Sequence, residues 1–228
     1  MMLGEEGFAR LSRSRVAVFG VGGVGGWCAE CLVRTGVGSL TIVDGDIVAP
    51  SNVNRQAMAA ASTIGEAKVE AMRRRLLDIN PSAEIRAVGK RYCAETASSF
   101  AFDGFDAVVD AIDSVDCKAL LASNAVATPG LAFFSSMGAA KRFDPFKVRA
   151  GEFRKVEGDG LAKALRARFR REYGGFPGGG RFMCVWSAEP PATNVLGSLA
   201  QVTAVFGFCL ASLVVAACTG RAVPRSCR

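Results

Sequence analysis

Histidine is absent from this chain. Its absence excludes imidazole acid–base catalysis and any histidine-ligated metal centre. A second C-x-x-C pair is missing as well. Cys28 and Cys31 form one such pair, but Cys93, Cys117, Cys184, Cys209, Cys218 and Cys227 are scattered. A four-thiolate zinc site is therefore excluded. The one pair falls inside a helical pattern, past a glycine-rich turn, and reads as packing by small apolar thiols. Eight cysteines at irregular spacing in 228 residues do not read as a disulfide framework, so a reducing cytoplasm is the expected location. The opening MMLGEEGFARLSRSR holds no apolar run of signal-peptide length. No internal repeat is evident.

Net charge is missing from most of the chain. The formal charge is +7, yet residues 141–181 hold 12 of the 28 Lys and Arg and only 5 of the 21 Asp and Glu, so this segment carries the whole excess. A localised basic patch is the footprint of a polyanion binder. A solvated basic helix, LAKALRARFRREYG, is the plainer alternative.

Short apolar runs alternate with helical patterns. Strands are expected at 15–20, 39–43, 84–88, 106–110 and 131–135. Helices are expected at 24–36, 65–79, 94–100, 115–127, 159–173 and 195–218. GKRYC and DPFKVRAGEF suggest extra strands. This alternation predicts a single α/β domain over 1–228: a Rossmann-like, doubly wound, mostly parallel sheet with extra antiparallel strands and a long buried C-terminal helix. The final apolar stretch, NVLGSLAQVTAVFGFCLASLVVAACTG, is long enough to span a bilayer. Its Asn, Ser, Gln and Thr side chains favour a core or dimer-interface helix instead, and stable membrane insertion is not expected. GGFPGGG, 174–180, marks a flexible break.

Gly20, Gly22, Gly23, Gly25 and Gly26 cluster between the first strand and its helix. Glycine lets backbone approach a phosphate, and the helix start offers unpaired N–H groups. Asp44 ends the second strand, where a carboxylate accepts hydrogen bonds from ribose hydroxyls. These features indicate an adenine nucleotide but do not separate a redox dinucleotide from ATP. The following segments do more: GDIVAPSNVNRQ, GEAKVEAMRRRLLDINP and VVDAIDSVDCK bring cations and an acid to the same sheet edge. An adenylate-forming site needs such groups against phosphate charge.

The chain resembles the ubiquitin-activating-enzyme-like adenylylating family that includes the ThiF, MoeB and HesA proteins. The resemblance runs through VFGVGGVGGWCAECLVRTGVGSLTIVDGD, NVNRQ, INP, DAIDSV, DPFKVR, LAKALRARFRREYG, CVWSAE and TAVFGF. NRQ, DAIDSV and the basic helix before CVWSAE point to the branch that dehydrates threonylcarbamoyladenosine in tRNA. The resemblance implies that the five glycines hold ATP phosphates and that Asp44 and Asp46 lie at the nucleotide. It further implies that Asn52, Arg55, Lys68 and Ser114 surround the phosphates. Asp113 would carry Mg²⁺, and Arg55, Lys68 and Asp113 would be the catalytic set. Arg166, Arg170 and Arg171 are the candidates for gripping tRNA. Other implied partners are a second copy of the chain, as a homodimer, and a sulfur-relay protein.

In the implied reaction the threonyl carboxylate attacks the α-phosphate of ATP, and the carbamoyl group then closes on the acyl-adenylate and expels AMP. That is catalysis by proximity and charge stabilisation, and it needs no histidine. Two departures stand out. EPPATNVLGS carries no Cys before the last helix. The start, MMLGEEGF, corresponds to the end of an arginine-bearing arm in the family. The alternative readings are an adenylyltransferase for a ubiquitin-like sulfur carrier, an NAD-dependent oxidoreductase, and a nucleotide-binding module impaired in catalysis.

Overall fold

Val16, Ala17, Val18 and Phe19 are apolar side chains pointing to both faces of a strand, and all four are buried. Such a run suits a central parallel strand covered by helices on both sides. The computed structural model places them in β1 (Arg15–Phe19) and describes residues 2–223. Met1 and residues 224–228, Cys227 among them, lie outside the described part. The other strands are β2 (Ser39–Val43), β3 (Glu84–Val88), β4 (Ala107–Asp110), β5 (Ala132–Ser136), β6 (Val148–Glu152) and β7 (Met183–Ser187). They form a seven-stranded sheet in the order β3-β2-β1-β4-β5-β7-β6. All pairings are parallel except β6 with β7. The chain runs outward from β1 to β2 and β3, then returns to β4 on the other side. That reversal opens a crevice at the C-terminal ends of β1 and β4, where open α/β sheets bind ligands.

The helices are α1 (Gly4–Arg13), α2 (Gly25–Thr35), α3 (Lys68–Ile79), α4 (Val115–Ala127), α5 (Gly160–Glu172) and α6 (Ala200–Thr219). One apolar layer joins α2, α3 and α6 to the sheet through Leu32, Met72, Phe206 and Leu210. The other joins α4 and α5 through Leu121, Leu165 and Phe169. α2 stops at Gly36, whose φ of 105° suits a left-handed helix end. α5 starts at Asp159, whose Oδ1 accepts the Ala162 N–H at 2.8 Å.

Two expected elements are corrected. GKRYC is not a strand. Tyr92 is instead buried against Phe19, Phe100 and Phe102, and Arg91 turns back towards Asp46. Residues 94–100 form only a short 3-10 turn, Ala97–Ser99, because Phe100 and Phe102 must turn inward to meet Phe19. The extra antiparallel strand is therefore β6 alone. α6 is long and apolar enough to cross a membrane by length and composition, but half of that stretch is buried in the fold. Gln201, Phe208 and Ser212 lie exposed along it at helical spacing.

Candidate functional site

A cavity of about 990 Å³ lies over the C-terminal ends of β1, β2, β4 and β5. Its floor is the turn after β1. Gly20 has φ of 84°, and a Cβ there would sit 2.8 Å from the Ala111 carbonyl oxygen, so the β1 and β4 turns touch backbone to backbone. Gly20, Gly22 and Gly23 line the cavity. Gly25 and Gly26 do not, and the structure places both in the first turn of α2 behind the loop. A Cβ on Gly25 would fall 1.8 Å from the Gly20 oxygen, and one on Gly26 would press on Met58 and Val21. These two glycines let the first turn of α2 close onto the loop.

Asp44 directly follows β2, and both of its oxygens face backbone. Oδ2 accepts the Val21 N–H and Oδ1 the Asp46 N–H, each at 2.9 Å. The carboxylate thus fastens the glycine loop to the β2 turn while still lining the cavity. Asn52 is buried and caps its own turn, its Oδ1 accepting the Ala49 N–H at 3.0 Å. Arg55 lies against the loop, with its Cγ 3.3 Å from where a Gly23 Cβ would be. Its carbonyl accepts the Trp27 indole N–H at 3.0 Å, and its guanidinium donates to the Ser51 carbonyl and Asn54 Oδ1.

Lys68, the first residue of α3, is only 7% exposed. Its Nζ lies 2.9 Å from Asp46 Oδ2, and Arg91 reaches Asp46 Oδ1 at 2.6 Å. Burial would raise the Asp46 carboxyl, but hydrogen bonds from Lys68 and Arg91 outweigh it and hold the group below its ordinary value. Asp46 therefore holds two cations at the cavity wall. Asp113 and Ser114 sit in the turn between β4 and α4 and both line the cavity. The Asp113 carboxylate is exposed. Among the described residues no group of three or more Cys, Asp and Glu could hold a metal alone. One exposed carboxylate lining the same cavity as the glycine turn fits Mg²⁺, which commonly takes one or two protein carboxylates with substrate phosphates.

The structure brings Arg55, Lys68 and Asp113 to one cavity, as the spacing of the motifs suggested. It adds residues that the sequence did not single out. Arg91 is invisible in sequence because its role rests on Gly45, where a Cβ would meet Arg91 Cγ at 2.6 Å. Gln56 belongs to the NRQ motif but gave no sign of being buried at the wall. Ser136, Met137, Lys141, Arg142 and Leu161 extend the cavity away from the glycine loop. Lys141 is the sole non-glycine residue with positive φ, 63°, among those described. Its N–H donates to the Gly197 carbonyl and its own carbonyl accepts the Ala192 N–H, both at 2.8 Å.

The basic segment divides into two groups. The Arg166 side chain is engaged within the fold: its guanidinium donates to the Phe153 and Val156 carbonyls and stacks on the Phe153 ring. It ties α5 to the loop after β6. Arg170 and Arg171 are exposed. Arg170 stacks on Phe176, and Arg171 pairs with Glu172 at 3.0 Å. Lys147, Arg149, Lys155, Lys163 and Arg181 are exposed too. The C-x-x-C pair is packing: Cys28 is fully buried and burial raises its thiol well above the ordinary value. Burial does the same to Cys184 in β7.

The sequence pattern that defines the ThiF family matches residues 1–226. The tRNA threonylcarbamoyladenosine dehydratase of Bacillus subtilis (strain 168) is 41% identical over 172 residues, which cover 75% of this chain and 67% of that protein. The protein of the same name from Haemophilus influenzae is 31% identical over 229 residues, covering 92% and 87%. The crystal structure of Escherichia coli tRNA N6-threonylcarbamoyladenosine dehydratase in complex with ATP superposes with a TM-score of 0.90 at 32% identity, covering 96% of this chain and 91% of that one.

Proposed function

The chain belongs to the ThiF family, and on that premise we propose that it dehydrates threonylcarbamoyladenosine in tRNA, using ATP to adenylate the threonyl carboxylate. The observation that carries this reading is the convergence of Arg55, Lys68 and Asp113 on one cavity beside Gly20, Gly22 and Gly23. The glycine turn accepts the phosphates, with Asp44 at the ribose. Arg55 and Lys68 stabilise the charge that builds on the α-phosphate and the departing pyrophosphate. Lys68 is held for this by Asp46, which Arg91 continues to neutralise when Lys68 turns to phosphate. Asp113 is the residue that would hold Mg²⁺, which when bound supplies further charge neutralisation at the phosphates.

The carboxylate attacks the α-phosphorus, and the bond to pyrophosphate breaks. The carbamoyl group next attacks the acyl carbon, and AMP leaves as the ring closes. The cavity reaches past the glycine loop to Lys141, Arg142 and Leu161, which gives the modified nucleoside a place beside the nucleotide. α5 begins at that end of the cavity, and Arg170 lies ten residues on, about 15 Å along the helix. Arg170, Arg171, Lys163 and Lys147 would meet backbone phosphates, so binding would weaken with salt. A two-fold dimer that buries the Phe208 stripe of α6 and a reducing cytoplasm complete the proposal.

The test is incubation with tRNA bearing threonylcarbamoyladenosine, ATP and Mg²⁺. Nucleoside mass spectrometry should show loss of one water, with AMP and pyrophosphate formed in equal amounts. AMP formation that depends on a small carrier protein instead of tRNA would overturn the reading in favour of a carrier adenylyltransferase.

A further inference from the structure

Asp110 and Lys118 are both 0% exposed, and their charged ends meet at 2.7 Å. Full burial of an ion pair is costly, and it persists where every remaining donor and acceptor is matched. Here they are matched closely. Asp110 Oδ2 accepts from Lys118 Nζ and from Ser135 Oγ, each at 2.7 Å. Lys118 Nζ also reaches Ser135 Oγ at 3.3 Å. Asp110 Oδ1 accepts the Ile112 N–H at 3.1 Å.

The location gives this cluster its meaning. Asp110 is the last residue of β4, Lys118 lies in the first turns of α4, and Ser135 is in β5. Between Asp110 and α4 lies the turn of Ala111, Ile112, Asp113 and Ser114, and all four line the cavity. One carboxylate therefore grips both sides of that turn. It holds the Ile112 N–H on one side, and on the other Lys118, whose own N–H donates to the Ser114 carbonyl at 2.9 Å. The Ala111 N–H is bound to the Phe19 carbonyl at 2.8 Å. No hydrogen bond or close ion pair holds the Asp113 side chain within the described fold, although its charge acts on the nearby Arg91, so the position from which its carboxylate projects is set by this backbone.

We propose that Asp110, Lys118 and Ser135 are positioning residues that aim Asp113 at the phosphates of bound ATP. The proposal rests on the reading of Asp113 as the Mg²⁺-associated acid. The alternative is a buried ion pair that contributes to stability alone.

The two are separated by the Mg²⁺ dependence of ATP binding, measured by calorimetry with and without the metal. Ser135→Ala removes one hydrogen bond with little change in volume. It should leave metal-free ATP affinity within about twofold, while the gain in affinity on adding Mg²⁺ falls at least fivefold. Ser135→Thr keeps the hydroxyl and should restore the gain. Asp110→Asn combined with Lys118→Met removes both charges together and should show the larger loss. Val214→Ala, in the core of α6, serves as a variant of lowered melting temperature with the Mg²⁺ gain intact. If the Ser135 and paired variants lower the melting temperature but keep the full Mg²⁺ gain, the triad is structural and the proposal is wrong. Asp113→Ala is run beside them. If it too keeps the full gain, the reading of Asp113 fails and the proposal falls with it.

Discussion

Gly22 and Gly25 look alike in the sequence but should respond to alanine in opposite ways. A Cβ on Gly25 would lie 1.8 Å from the Gly20 carbonyl oxygen, against 3.4 Å for ordinary contact, so the loop must open by about 1.6 Å. That oxygen belongs to a residue held at φ 84°, whose N–H is bound to Val43 at 2.8 Å. Overpacking costs about 1–3 kcal/mol where neighbours can yield, and here the neighbour is fixed backbone, so about 3 kcal/mol or more is expected. For a chain of this size that is a fall in melting temperature of about 6–12 °C. Gly22 differs: a Cβ there meets only Gln56 Nε2, at 3.7 Å, and the residue lines the cavity. Gly22→Ala should melt like the parent but bind ATP about tenfold more weakly, about 1.4 kcal/mol, because the methyl group occupies ligand space. Ligand-free thermal denaturation and ATP titration calorimetry read the two effects separately. A Gly25→Ala protein that melts with the parent, or a Gly22→Ala protein that binds ATP with parental affinity, would refute the division into folding and binding glycines.

Lys68→Met should keep the fold, since Arg91 still neutralises Asp46. AMP formation should fall about 10²–10³-fold, as when one preorganised donor is removed from developing charge; a fall of less than threefold would exclude Lys68 from the reaction. Reversing Arg170 and Arg171 to Glu should weaken tRNA binding and flatten its dependence on salt, read by filter binding at several salt concentrations. Arg166→Met should instead lower stability by about 1–3 kcal/mol through its lost carbonyl bonds and leave tRNA affinity unchanged. The Glu30 carboxyl opposes its burial through hydrogen bonds from Arg75 and Arg34, and it lies below its ordinary value in the folded protein. Its stabilising effect is therefore full above the unfolded value, about 4.3, and is lost as pH falls through the lower folded value. Glu30→Gln should flatten the fall in melting temperature between pH 5 and 3, and an unchanged slope would place the acid sensitivity elsewhere.

Much of this architecture is written in local chemistry. β1 and most of β4 are short runs apolar on both faces, which suits a buried parallel strand. Gly20 followed by an apolar helix fixes a strand–turn–helix, and Asp44, just after the next strand, lies at the same edge of the cavity. The shared placement of Arg55, Lys68 and Asp113 was legible because each falls between the C-terminal end of a strand and the first turn of the helix that follows it. Other features depended on distances between segments far apart in the chain. Gly25 and Gly26 share the motif of Gly22, and only the approach of the Gly20 carbonyl to the first and of Met58 and the Val21 carbonyl to the second reveals how closely they pack. Arg166 repeats along α5 with Arg170, but its side chain falls where two carbonyls of the loop after β6 need a donor. Arg91, in a stretch that read as a strand, becomes a partner of Asp46 because three aromatic rings draw Tyr92 inward. Asp110, Lys118 and Ser135 come from three elements, and nothing in their sequence neighbours requires the charges to meet. Periodicity and turn chemistry set β1 to β5 and α2 to α5 within a window of a few residues, but gave no range for α1 or β7. Which side chains are left free for ligand, and which are used up by the fold, was decided when β4, β5, α4 and α5 packed together.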